Sequence, residues 1–241
     1  MANKLKRGTF GKFAEVEAWY RPGTSDENAL IEVINKKAYR RASIGFDVMP
    51  GERWLCMGSN IGAFALYAKS KGAKSVTCYE PMTDCFEILK KNVPEFELHN
   101  SAVSNLRDKK ITFFTPRREK DKYRSTMVPR KGKYPAVTVR NTYAGTLQRR
   151  KGKGFDGIKC DIEGAEHALL LEWLFPKAEK LVLEFHLSRN NSLPNLVKCW
   201  RMLKRHYKHV HTCPELMRLI KKGKGTGRTY FDRNIWAWGL K

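Results

Sequence analysis

The chain has 241 residues, with 47 Lys and Arg against 24 Asp and Glu, and a formal net charge of +23. Apolar residues make up 41% and aromatic residues 11%, enough for a sizeable core, which excludes a disordered chain. No uninterrupted apolar run approaches the ~18 residues of a membrane span, so no transmembrane segment is expected, and at roughly 150 residues per domain the length points to one large domain.

Met1 to Gly8 is basic, but no apolar segment follows it, so no secretory signal is expected and a cytoplasmic location is. The first fifty residues, with Asp26 to Tyr39 reading as an amphipathic helix, form a cap segment (1–50) on a domain that spans 51–241. From Arg53 onward, strand-like and helix-like segments alternate. Arg53–Met57 reads as a strand and is followed by Gly58-Ser-Asn-Ile-Gly62; Ala63 to Lys71 reads as a helix with Gly72 at its end. Ser75–Tyr79 is a second strand, ending at Glu80-Pro81. Thr83 or Asp84 is expected to cap a helix that stops before Pro94, and Glu95 to His99 is a third strand. Ile111–Thr115 and Ala136–Arg140 read as an added strand pair. Phe155 to Cys160 and Leu181 to Phe185 are further strands, with a helix expected from Glu163 to Trp173 between them. A helix from Ser192 to about Tyr207 follows, and Val210 and Ile235–Trp238 are expected to pair as two edge strands. Strands alternating with helices predict βαβ units and a mostly parallel, doubly wound sheet covered on both faces.

In such a sheet, ligands bind at the carboxyl ends of the strands. Those ends carry Gly58, Ser59, Asn60 and Gly62, then Glu80 and Pro81, Ser101 and Ala102, Asp161, and Glu184 with His186. A glycine-bearing strand-to-helix turn lets backbone approach a ligand and presents helix N–H groups. Glu80, eighteen residues past Gly62, stands where a carboxylate can accept both hydroxyls of a ribose. Asp161 reads as a general base, a metal ligand or a helix cap; Glu184 and His186 share one face of the next strand end beside it. His206, His209, His211 and Cys213 have metal-like spacing only on paper, and Gly223–Arg228 reads as a flexible loop. The six cysteines, at 56, 78, 85, 160, 199 and 213, form no Cys-x-x-Cys pair and are expected as buried thiols of a reduced protein.

The charge is uneven. Residues 116–133, 149–153 and 201–228 carry +6, +4 and +8, which is +18 of the +23. A field of this sign attracts polyanions such as nucleic acid, anionic glycans or nucleotide-sugars.

Arg21-Pro-Gly-Thr-Ser-Asp26, Met57-Gly-Ser-Asn-Ile-Gly62, Tyr79-Glu-Pro81, Asn100-Ser-Ala102, Ile158-Lys-Cys-Asp-Ile-Glu-Gly-Ala-Glu166 and Leu183-Glu-Phe-His186 together resemble the FkbM-type methyltransferases over roughly residues 20 to 190. The resemblance implies a class I, Rossmann-like fold with seven strands, the last antiparallel. It implies methyl transfer from S-adenosylmethionine to a hydroxyl, commonly on a sugar or glycan. Carried over by position, Gly58, Ser59, Asn60 and Gly62 line the methionine and ribose side. Glu80 with Pro81 holds the ribose, and Ser101 and Ala102 sit near the adenine. Asp161 faces the methyl group, with Glu163, Glu184 and His186 nearby. The chain departs from the family at Cys56, where Asp is usual, and around Asn141 to Ala144, where Leu-Asp is usual. Asp161 or His186 is the expected base, with Glu184 orienting its partner; Mg2+ bound by Asp161 and Glu184 is the alternative. The expected acceptor is anionic or sugar-containing. Nucleic-acid methylation is the first alternative, and a non-catalytic binding module on the same fold is the second.

Overall fold

The computed structural model describes residues 4–12, 15–116, 135–148, 154–186, 193–222 and 234–241. Its centre is a seven-stranded sheet. In chain order the strands and helices begin with a hairpin, β1 (Lys6–Phe10) and β2 (Val16–Tyr20), then α1 (Ser25–Leu30), β3 (Arg53–Met57), α2 (Ala63–Ser70), β4 (Ser75–Tyr79), α3 (Thr83–Asn92) and β5 (Glu97–His99). There follow β6 (Ala102–Ser104), β7 (Lys110–Phe114), β8 (Ala136–Tyr143), α4 (Ala144–Gln148), β9 (Gly157–Cys160), α5 (Glu166–Leu171) and β10 (Lys180–Glu184). The chain closes with α6 (Leu193–His206), β11 (Tyr207–Thr212), α7 (Pro214–Lys222) and β12 (Asn234–Leu240). The sheet order is β11-β12-β10-β9-β3-β4-β5, parallel except for β12, which runs antiparallel to both of its neighbours. A smaller sheet, β6-β8-β7, holds the added strand pair, with β7 and β8 antiparallel.

The central strands are buried on both faces, as continuous apolar runs in parallel sheets should be. Trp54, Leu55, Cys56 and Met57 are each no more than 1% exposed. Side chains alternate across the sheet. Trp54 and Cys56 pack with α2, α3 and the N-terminal segment, while Leu55 and Met57 pack on the opposite face with α5 and α6. All six cysteines are buried and unpaired. No helix among the described residues is long and apolar enough to cross a membrane.

Several expectations are corrected by local chemistry. The N-terminal cap is a hairpin plus a short helix, not one helix to Tyr39. Thr24 caps α1 by accepting from the Asp26 amide, and the chain then widens into a π turn over Ile31–Asn35. Lys37 takes a left-handed φ of 56°, the Ala38 amide reaches back to Glu32, and Tyr39 is delivered to the sheet instead of continuing a helix. Neither Thr83 nor Asp84 caps α3; both lie inside it, and the Met82 amide at its start is taken by Glu80. The helix expected from Glu163 begins at Glu166, because Glu163 and Gly164 hold left-handed φ values of 54° and 110°. β12 is not an edge strand; it lies between β11, which is the edge, and β10. Ser192, Gly223–Arg228 and most of the basic segments 116–133 and 149–153 lie outside the described residues.

Candidate functional site

The carboxyl ends of β3, β4, β9 and β10 bring Gly58, Glu80, Asp161 and Glu184 to one edge of the sheet. The turn after β3 is wound left-handed at three points, Gly58 (φ 76°), Asn60 (φ 49°) and Gly62 (φ 96°). The amides of Gly58 and Ser59 both donate to the Tyr79 carbonyl, at 3.0 and 2.9 Å, and the Ser59 hydroxyl donates to the Cys56 carbonyl at 3.0 Å. The turn is thus tied to β3 and β4 by its own backbone.

Gly58 has no room for a side chain. A Cβ there would lie 1.7 Å from the carbonyl oxygen of Asp161, which is backbone and cannot swing aside. Gly58→Ala is therefore expected to destabilise the protein by at least about 3 kcal/mol, from left-handed strain plus the clash. Denaturant unfolding checks this, and a stability within 1 kcal/mol of the parent (about a fivefold change in equilibrium constant) would contradict it.

Glu80 is buried, and its two carboxylate oxygens accept from the amides of Asn60 (2.7 Å) and Met82 (2.9 Å). Each oxygen keeps a second lone pair for a ligand hydroxyl. Burial pushes the Glu80 carboxyl up to about 7, against the opposing pull of those two amides. The Asn100 side chain pins this corner by donating to the carbonyls of Glu80 and Pro81, at 2.9 and 3.2 Å. Ser101 and Ala102 are buried where β6 begins, and the Ser101 hydroxyl is engaged with the Ala102 carbonyl and Thr142.

Asp161 is held from several sides. Its Oδ2 accepts from the Tyr39 hydroxyl at 3.0 Å and from the Lys159 ammonium at 3.2 Å. Its Oδ1 is buried without a hydrogen-bond partner among the described residues and lies 3.8 Å from Nε2 of His186. Burial opposes ionisation of Asp161, but Lys159, His186 and Tyr39 reverse it and hold the carboxyl below its ordinary range. Nδ1 of His186 meets the fully buried Glu166 at 2.9 Å, while Nε2 lies 3.5 Å from Glu163 and 3.6 Å from Glu184. Glu166 is fixed in turn by the amides of Ile162 and Gly164. Burial would strip the imidazole of its proton, yet Glu163, Glu166 and Glu184 hold it well above the ordinary histidine value. Of the two expected bases, then, His186 is biased toward its protonated form, and Asp161 is the one with an oxygen that lacks a hydrogen-bond partner among the described residues.

The residues expected from sequence thus form two adjacent groups, the turn with Glu80 and the Asp161–Glu184–His186 cluster. Among the described residues, the set with ligand atoms within 4.8 Å of one another is Asp161, Glu163 and His186, with Glu163 in place of the expected Glu184. His206 stacks on Trp173, His209 and His211 lie against Trp238, and Cys213 is buried; they form no ligand set. Tyr39, Lys159 and Glu166 carry contacts that sequence reasoning assigned no role. Lys159 had a signal, a lone cation in an apolar strand two residues before an acid. Tyr39 had none, since its position depends on the π turn.

Cys56 stands in register with Cys78 on the neighbouring strand. Burial raises its thiol, but Cys78 and the Lys159 ammonium bring it down to about 7. Around the other departure, Asn141 ties β8 to the loop before β7 through the carbonyls of Leu106 and Asp108.

A family model described as the Methyltransferase FkbM domain matches residues 57–210. The chain belongs to the FkbM methyltransferase family. Its sheet order, with a single antiparallel strand next to the edge, is the class I S-adenosylmethionine-dependent methyltransferase arrangement. Among solved structures, this FkbM protein is similar to P. horikoshii TYW2 in complex with MeSAdo (13% identity, covering 87% of this chain and 63% of that one, TM-score 0.46). It is also similar to a ribosomal protein L11 methylase from Lactobacillus delbrueckii subsp. bulgaricus (14%, 79% and 69%, 0.40) and to a SAM-dependent methyltransferase from Agrobacterium tumefaciens (15%, 84% and 59%, 0.44). No curated protein sequence matches significantly.

The site fits the methyl donor that the family implies. Glu80 offers two spare lone pairs beside a left-handed turn, and at the neighbouring strand end Asp161 has a buried oxygen with no hydrogen-bond partner among the described residues.

Proposed function

We propose that the protein is an S-adenosylmethionine-dependent O-methyltransferase that acts on a hydroxyl of a sugar or glycan-like acceptor. The observation that carries this reading is Asp161, an ionised carboxylate with one oxygen anchored and the other buried without a hydrogen-bond partner among the described residues. S-adenosylmethionine, when bound, supplies an electrophilic methyl group on a sulfonium. Gly58, Ser59, Asn60 and Gly62 present backbone to it, Glu80 with Pro81 holds the ribose, and Ser101 and Ala102 border the adenine. An alkyl hydroxyl needs a place for its proton, and Oδ1 of Asp161 takes it. Glu184 and Glu163, on either side of His186, accept hydrogen bonds from neighbouring hydroxyls and orient the acceptor. The carboxylates of Asp161, Glu163, Glu166 and Glu184 at one site favour a hydroxyl-rich reacting end over a phosphate-lined one, while the net charge of +23 favours an acceptor that is anionic elsewhere.

The test is transfer of a radiolabelled methyl group from S-adenosylmethionine to nucleotide-sugars, lipid-linked glycans, acidic polysaccharides, single-stranded RNA and duplex DNA. Label in an alkali-stable ether on a glycan is expected. Label on nucleic acid alone would replace this reading with the one that the +23 charge favours. In the metal-dependent alternative, the carboxylates of Asp161 and Glu163 would hold Mg2+ to lower the hydroxyl pKa, and EDTA abolishes transfer; in the metal-free reading EDTA has no effect.

A further inference from the structure

Asp161 is oriented by two side chains from separate parts of the chain. Tyr39 comes from the N-terminal cap. Its ring stacks edge-on against Phe64, and its carbonyl accepts from the Trp236 indole at 3.0 Å. The carbonyl of Ala38 accepts from the Asn234 side chain at 3.0 Å. β12 thus grips the backbone of Ala38 and Tyr39, and the Tyr39 hydroxyl has one reach, to Oδ2 of Asp161 at 3.0 Å.

Lys159 lies two residues before Asp161 and is only 4% exposed. Its ammonium donates to the Gly58 carbonyl at 2.7 Å and to Oδ2 of Asp161 at 3.2 Å, and it lies 5.1 Å above the Tyr39 ring. The three side chains therefore close a ring of contacts: hydroxyl to carboxylate, ammonium to carboxylate, ammonium to aromatic face. The same ammonium ties the turn after β3 to the strand end that carries Asp161.

We propose that Tyr39 and Lys159 are positioning residues, which hold Asp161 by Oδ2 and commit Oδ1 to the acceptor. The proposal rests on the reading of Asp161 as the proton acceptor. It also gives the N-terminal cap a part in the chemistry: the site is incomplete until Tyr39 docks. A carboxylate held by one oxygen keeps the other in a fixed direction, and a misaligned base loses rate without losing donor affinity.

The test is Tyr39→Phe, which keeps the ring and its packing and removes one oxygen, with Lys159→Met as the second variant. For Tyr39→Phe, kcat on the acceptor identified by the labelling screen is expected to fall about tenfold. KM for S-adenosylmethionine, S-adenosylhomocysteine affinity and melting temperature should stay at parental values. Crystal structures are expected to show Asp161 in one orientation in the parent and in more than one in Tyr39→Phe. A kcat within twofold of the parent with an unmoved carboxylate would overturn the proposal, as would a tenfold loss matched by an equal loss of donor affinity. If the parent labels no acceptor, the O-methyltransferase reading fails, and the Asp161 orientation still decides whether Tyr39 and Lys159 hold it.

Discussion

Asp161→Asn lowers kcat by at least about 100-fold and leaves S-adenosylhomocysteine affinity within about threefold of the parent, because the variant removes the proton acceptor while keeping the shape of the side chain. The amide has nearly the volume of the carboxylate, and its oxygen still accepts from Tyr39 or Lys159. Asp161→Ala is the harsher change. It leaves the Lys159 ammonium, which is 4% exposed, with the Gly58 carbonyl and the Tyr39 ring but without its carboxylate. A buried charge that loses its counterion costs about 3 kcal/mol, so both variants should lose thermal stability, the Ala variant more because it also loses the hydrogen bonds and the packing of the side chain. The two variants together separate chemistry from folding. An Asp161→Asn enzyme that keeps a third of the parental kcat would remove Asp161 from the reaction.

Glu80→Gln weakens S-adenosylhomocysteine binding at least about tenfold. The carboxylate accepts from two backbone amides at once, at 2.7 and 2.9 Å. Glutamine has one acceptor oxygen, so its amino group must face a donor, and one amide is left without a partner. The parent should also show a pH dependence that the variant lacks. The Glu80 carboxyl is pushed from 4.5 to about 7 by burial, so in the free protein it is largely protonated at pH 6 and largely ionised at pH 8. Ribose hydroxyls donate to the ionised form, so affinity should rise roughly tenfold from pH 6 to pH 8 and release a proton on binding. The linked stability has the opposite sign. The folded state keeps a proton that the unfolded chain sheds, so stability falls as pH rises from about 4.5 to about 7, and Glu80→Gln removes that slope. Calorimetry at three pH values reads the binding side; equal affinities in parent and variant at pH 8 would refute the ribose assignment.

The sheet and the site differed in how far they could be read from sequence. β3, β4 and β9 were legible because continuous apolar runs ending in Gly58, Glu80 and Asp161 follow from strands buried on both faces. The turn at Gly58 to Gly62 was legible because both glycines hold left-handed backbone, and at Gly58 a side chain would strike the Asp161 carbonyl. The β1–β2 hairpin was missed because burial alternates over only the five residues of β2 and not along β1, with no tight-turn dipeptide between them. The true start of α5 was missed because an acid at Glu163 normally favours a first helical turn, whereas here its left-handed backbone brings its side chain to His186. The charge states were out of reach altogether. His186 read as a base from its type, and only the three-dimensional company of Glu163, Glu166 and Glu184 raises its pKa above the ordinary histidine value.

Isothermal calorimetry of the purified protein with S-adenosylhomocysteine, with and without Mg2+, is the most direct test that this FkbM chain is a working methyltransferase. Binding with a Kd in the micromolar range, about −8 kcal/mol, is expected despite Cys56, and it should be weakened at least about tenfold in Glu80→Gln and kept in Asp161→Asn. No detectable heat in either condition would contradict the enzyme reading and leave a methyltransferase fold used as a non-catalytic binding module, with the basic surface as its working face.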